Sequence, residues 1–180
     1  MSKPLTPSTI ALLAMASIAP SQMRPPAVPL IAHDPYFSVW STTNELAGGP
    51  TRHWTGAEQP LVSLIRLDGK VFRLMGTSAL VQNSLPQTGL HVWPTRTIYS
   101  FAGEGVDVTL SFTTPSLPDD IEVLSRPATY LTWTVKATDG KPHDASVYFS
   151  ADSRLAVNDP SQNVVWRSGK AGSLSMLQIG

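Results

Sequence analysis

The chain contains no cysteine. That excludes disulfides, thiol catalysis and cysteine-ligated metal, and leaves packing as the source of stability. Charge is also scarce and balanced, with 13 basic against 13 acidic residues and only 14% charged side chains. No electrostatic footprint for nucleic acid or an anionic membrane surface results, so neither is expected as a partner. Helical periodicity is missing too: after residue 24 no window carries apolar residues at i, i+3 and i+4 between capping residues. No apolar run approaches the ~20 residues of a membrane-spanning helix. There is no Asn-x-Ser/Thr glycosylation sequon, no glycine-rich phosphate loop and no Gly-x-Ser-x-Gly elbow. The four histidines, His33, His53, His91 and His143, fall at no metal-ligand spacing. Neither a metal nor a cofactor is expected.

What is present begins with a leader-like segment. Lys3 precedes the apolar run Ile10-Ala11-Leu12-Leu13-Ala14-Met15-Ala16, and the small residues Ser17 and Ala19 follow. This is the pattern of a secretory signal peptide, so residues 1–23 are set apart as a leader and the protein is expected to be secreted or periplasmic. The plainer alternative is a frayed amino terminus.

Residues 24–180 read as one all-β domain, an antiparallel, supersandwich-like β-sandwich with little or no helix. Val28 to Trp40 mixes apolar residues with Pro29 and Pro35, which suits an edge or crossing segment better than a central strand. Asn44 to Thr51 is a loop, and Trp54 after it is expected to re-enter the core. The clearest hairpin is Leu61–Leu67, Asp68-Gly69, Lys70–Met75, because Asp-Gly supplies the positive φ angles of a type I′ turn. Its Lys70 and Arg73 are expected to face water. A second hairpin joins Thr95–Phe101 to Val106–Thr113 through Gly103-Glu104-Gly105, and in its return strand Val106, Val108, Leu110 and Phe112 alternate with polar residues. Ile121–Leu124 is a short strand at best. Leu131, Trp133 and Val135 alternate likewise, as do Ala145, Val147, Phe149 and Ala151, and Asp139-Gly140-Lys141-Pro142 between them suggests a third hairpin. Trp133 and Phe149 are expected in the core. Val164-Val165-Trp166 and Leu174–Ile179 form a fourth pair joined by Ser168–Gly172. The chain stops at Gly180 straight after an apolar strand, which reads as a truncated end. Turns at this spacing point to a sandwich.

Candidate chemistry is thin. His33-Asp34 could be an oriented base, but neighbours in a strand point to opposite faces, which favours two surface residues. His53-Trp54 suits a loop anchor. Among carboxylates that could form a glycosidase pair, Asp34, Asp107, Asp119, Asp120 and Asp152 stand out, although Asp119-Asp120 in a proline-flanked loop reads better as a solvated turn. Tyr36, Phe37, Trp40, Trp54 and Trp93 could line a ligand groove or simply pack. No self-contained active site is legible.

The order of several blocks carries more. Arg24-Pro25-Pro26 and Pro29-Leu30 are followed by Asp34-Pro35-Tyr36-Phe37-Ser38-Val39-Trp40, His53-Trp54-Thr55-Gly56 and Arg66-Leu67-Asp68-Gly69-Lys70 with Leu74-Met75-Gly76. Thr113-Thr114-Pro115, Pro127–Trp133 and Tyr148–Asp152 continue the series. Together they resemble the amino-terminal region of the glutaminase A family. The resemblance implies a secreted amidohydrolase converting L-glutamine to L-glutamate and ammonia, with a β-sandwich ahead of a larger helical, (α/α)6-like domain that holds the catalytic machinery. This chain would be that sandwich, not catalytic alone, with the carboxy-terminal helical domain of the same protein as its partner and a small molecule as the parent enzyme's substrate. Residues reaching the cleft would be Asp34, Tyr36, Trp40 and Trp54, polar or aromatic groups on loop-like backbone. A different class stays open beside it, a carbohydrate-binding or scaffold sandwich of a glycan-degrading hydrolase, with the aromatic block as its sugar platform.

Overall fold

A computed structural model describes residues 24–180; the expected signal peptide lies outside the described residues. Eleven strands and one short helix follow one another among them. The first strands, β1 (Val28–Ala32) and β2 (Ser38–Ser41), form a two-stranded antiparallel ribbon. Next come β3 (Leu61–Leu67) and β4 (Lys70–Met75), then β5 (Gln87–Trp93), β6 (Arg96–Gly103) and β7 (Val106–Thr113). After a helical turn, α1 (Ile121–Ser125), the chain adds β8 (Tyr130–Ala137), β9 (Ala145–Ala151), β10 (Trp166–Ala171) and β11 (Leu174–Ile179). The sheets run β4-β3-β9 and β5-β6-β7-β8, with β10-β11 as a separate ribbon. All named pairings are antiparallel.

The two larger sheets and the β1–β2 ribbon enclose one core, as an antiparallel sandwich requires. Its centre is Leu61, Ile65 and Leu67 of β3, Leu74 and Met75 of β4, and Tyr99, Phe101, Leu110 and Phe112 of β6 and β7. Tyr99 and Phe112 meet edge to face at 6.4 Å. The alternation in β7 is realised as read: Val106, Val108, Leu110 and Phe112 are buried and the residues between them are not.

Of the four expected hairpins the first, second and fourth form, and the first does so for the expected reason. Asp68 and Gly69 take φ 50° and 86°, and Glu104 and Gly105 take 52° and 76°, the paired positive angles of I′ turns. The turns lie side by side, since Lys70 Nζ reaches Glu104 Oε2 at 2.7 Å.

Several expectations are corrected. β8 and β9 are no hairpin: β8 pairs with β7 and β9 with β3, so residues 138–144 cross from one sheet to the other. Ile121–Ser125 is helical, because Asp120 caps it by accepting a hydrogen bond from the Val123 N–H at 3.0 Å. Ser168–Ala171 belongs to β10, and the turn is the two residues Gly172-Ser173. Arg73 does not face water; its guanidinium donates to the carbonyls of Ala47, Gly76 and Gln82 and ties loops to β4. Trp133 and Phe149 pack on each other at 5.8 Å, but Trp133 is only partly buried against the core and Phe149 is exposed, not part of it.

Candidate functional site

The prolines of the opening stretch set the site's shape. Pro35 ends β1's excursion at a tight turn in which Asp34 Oδ1 accepts from the N–H groups of Tyr36 at 2.7 Å and Phe37 at 3.0 Å. That turn aims the Pro35 carbonyl at the 53–56 loop, where it accepts from Trp54 Nε1–H at 2.6 Å and His53 Nε2 at 2.9 Å. A carbonyl only accepts, so His53 carries its proton on Nε2, and Nδ1 is left to accept from the Thr55 hydroxyl at 2.8 Å. Both ring nitrogens are thereby occupied. His53 anchors the loop, as its sequence setting suggested, and is not a free base.

Beside this junction opens a cleft of about 730 Å³. Pro35, Tyr36, His53 and Trp54 form its aromatic lip, Glu58 and Gln59 one wall, and Arg154, Val157, Asn158 and Pro160 the other. Tyr36 is 91% exposed and Trp54 63%, so both rings present faces to solvent. Trp54 therefore does not re-enter the core; its hydrogen bond to Pro35 holds it on the lip.

An ion chain stiffens the walls. Glu58 accepts from Arg52 at 2.9 Å through one oxygen and from Arg154 at 3.1 Å through the other. Arg154 also grips Asp152 through Nε at 2.9 Å and a terminal nitrogen at 3.2 Å. The guanidinium hydrogen bonds hold the Asp152 carboxyl below its ordinary range, and the same bonds raise Arg154. A glycosidase acid needs the opposite shift, a carboxyl kept protonated near neutrality. Asp152 is thus a structural anion, which also caps the short 3-10 turn at Ser153–Leu155. Gln59 has a buried side-chain oxygen without a partner at the cleft wall.

Of the four expected site residues, the fold brings together Tyr36 and Trp54. Asp34 is spent on its own turn and lies in a separate shallow groove with His33, Pro115 and Arg126. Trp40 sits half-buried on β2, donating to Ser38 Oγ at 3.2 Å and pairing through its backbone with Arg52. Burial lowers the His33 pKa, against a smaller opposing pull from Asp34, and its ring stacks on Phe37 at 5.6 Å. Trp93, another candidate groove ring, lines a different depression with Pro29 and Phe112. The other candidate carboxylates do not join the cleft either: Asp120 caps α1, and Asp107 lies on β7.

Glu58, Gln59 and Arg154 were not legible as site residues. Glu58 and Arg154 are 96 positions apart, and only the pairing of β3 with β9 brings their flanking segments together. The short Asp152-Ser153-Arg154 spacing was the one available signal. Among the described residues no group of three or more His, Asp or Glu side chains is arranged to hold a metal ion.

Two family models match, both described as domains of unknown function: DUF4964 over residues 11–86 and DUF5127 over residues 95–180. Among curated proteins the chain is similar to Glutaminase A of Aspergillus oryzae, with 30% identity over 159 residues. The match takes in 83% of this chain and 23% of that relative, so the chain spans about a quarter of the relative's length. No solved structure matches. Over most of its own length the chain is similar to a part of glutaminase A.

Proposed function

We propose that residues 24–180 are the amino-terminal β-sandwich of a longer, exported, glutaminase-A-like amidohydrolase that converts L-glutamine to L-glutamate and ammonia. In this reading the sandwich is not catalytic alone. It packs against a carboxy-terminal helical catalytic domain of the same polypeptide and presents Tyr36 and Trp54, with the polar wall of Glu58, Gln59 and Arg154, at the substrate approach.

One observation carries the reading: the likeness to Glutaminase A runs along 83% of this chain yet occupies 23% of the relative. A module shared along most of its length with an enzyme about four times longer is a part of that architecture. The site supports the same division of labour. His53 has both nitrogens committed, and Asp152 and Glu58 are neutralised by arginines, so the cleft offers binding groups without a free nucleophile or base. The two exposed rings on the lip also favour a second reading, a sugar platform in a glycan-degrading hydrolase.

Ammonia release from L-glutamine tests the proposal, measured for the 180-residue chain and for the product of the reading frame carried past codon 180. Activity in the longer protein alone is expected. Activity in the 180-residue chain would overturn the accessory role.

A further inference from the structure

We infer that one lateral side of this sandwich is a docking surface for additional β-strands, which pair with the open edges of β8 and β9 and extend both sheets. The inference rests on the reading above, that more polypeptide follows, and adds what that polypeptide does first.

Exposure rises sharply from each sheet's centre to this side. In β3, Ser63 and Ile65 are fully buried. Directly opposite them in β9 stand Phe149 and Val147, which are 40% and 42% exposed. Residues paired across an antiparallel ladder share a face, so Phe149 and Val147 point toward the core side and still meet water. The other sheet repeats the pattern. Leu110 and Phe112 of β7 are buried, while their β8 partners Trp133 and Leu131 are only partly covered.

Both frayed edges lie on the same side of the molecule. Trp133 of β8 touches Phe149 of β9 and donates its indole N–H to Ser63 of β3 at 3.0 Å. The opposite side shows what closure looks like in this fold. There Leu74 and Met75 of β4 are fully buried, and the 77–86 segment runs along the strand, with Arg73 donating to Asn83 at 2.8 Å and Leu85 to Arg73 at 3.0 Å.

An occupant made of strands fits better than a helical face. Among the described residues, each open edge offers a row of unpaired N–H and C=O groups that a helix cannot satisfy. Natural edges that stay open are blunted by charge or proline. The β9 sequence Ala-Ser-Val-Tyr-Phe-Ser-Ala has neither, and β8 has only Lys136. The β10–β11 ribbon carries the same message. Its register puts Leu177 opposite Ser168 and Leu174 opposite Ala171, on opposite faces, and the two leucines are 82% and 69% exposed. Strand β11 thus leaves a large apolar side chain exposed on each face, surface that another layer would cover. The segment following residue 180 in the same polypeptide is the supplier, because the match leaves more than three quarters of the relative unaccounted for.

Hydrogen exchange read by mass spectrometry tests this on peptides covering residues 130–137 and 145–151. It compares the 180-residue chain with the protein translated from the uninterrupted reading frame. The outward amides of β8 and β9 are expected to exchange at least ~100-fold more slowly in the longer protein, the protection of a formed ladder. Equal rates in the two proteins, or a frame that closes at codon 180, would overturn the inference. So would protection in the short chain that grows with its concentration, since the occupant would then be a second copy. The readout is independent of ammonia release: protection without glutamine hydrolysis would sink the glutaminase reading and leave strand pairing standing.

Discussion

The indole N–H of Trp54 donates to the carbonyl oxygen of Pro35 at 2.6 Å, across 19 residues of chain. This bond fixes the lip of the cleft, because it joins the turn carrying Tyr36 to the loop carrying His53. Trp54→Phe keeps an aromatic ring and removes the donor. With the site open to water, the expected loss of stability is below ~1.5 kcal/mol, the net worth of a hydrogen bond. The functional effect should be larger: in the longer protein, Trp54→Ala should raise KM for L-glutamine while leaving kcat nearly unchanged. Steady-state kinetics check this, and a fall in kcat alone would contradict a role in substrate approach.

Gly76 is where backbone geometry leaves least freedom. Its φ is +73°, and a Cβ there would run into the Leu61 carbonyl oxygen, which belongs to rigid β3. Gly76→Ala combines a left-handed alanine with a clash against backbone, so a loss of more than ~2 kcal/mol is expected. Denaturant unfolding measures it. Gly140→Ala, also at positive φ but with nothing nearby, should cost only ~1 kcal/mol.

The gradient from core to edge should appear in stability as well. Leu110→Ala empties a fully buried site and is expected to cost ~2–5 kcal/mol. Tyr148→Ser on the outer face of β9 should change stability by less than ~0.5 kcal/mol in the 180-residue chain. Urea midpoints of the two variants make the comparison. A large cost at Tyr148 would mean that β9 is covered already.

His143 should make folding depend on pH. Its Nδ1 lies 2.6 Å from Asp68 and its Nε2 3.0 Å from Asp139, so the protonated ring can donate to both carboxylates. The hydrogen bond to Asp68, then that to Asp139, raises its pKa above the ordinary 6.5. That contribution is complete below pH 6.5 and fades as pH rises through the elevated value. Asp68 and Asp139 are held below their ordinary 3.8, chiefly by hydrogen bonds from His143. Their contribution is present above 3.8 and is lost as pH falls through the depressed values. The cluster therefore stabilises most between about pH 3.8 and 6.5. His143→Gln should flatten the decline of Tm on the alkaline side of this window. Parallel Tm curves for the two proteins would contradict the assignment.

Local chemistry was readable and partner choice was not. Asp68-Gly69 announced its hairpin because positive φ angles suit that residue pair, and the flanking Gly103 and Gly105 marked the second turn. Asp139-Gly140-Lys141-Pro142 has the same turn chemistry and nevertheless leads from one sheet to the other, because what separates β8 from β9 is the ladder each joins, with partners 17 to 90 residues away. Strand β5 went unread, since Gly89 and His91 interrupt its short apolar alternation. Tyr36 and Trp54, which the fold sets on one cleft lip, stood out in sequence through the aromatic block around Pro35. Glu58 and Arg154 did not, because an ion pair 96 residues long leaves no local trace.

The most direct test of the account is a substrate comparison on the protein translated from the uninterrupted reading frame: ammonia released from L-glutamine against sugar released from aryl glycosides and polysaccharides. A glutaminase-A-like enzyme carrying this sandwich should release ammonia and leave the glycosides intact. Glycoside hydrolysis without ammonia release would contradict the account and assign the Tyr36–Trp54 lip to sugar binding.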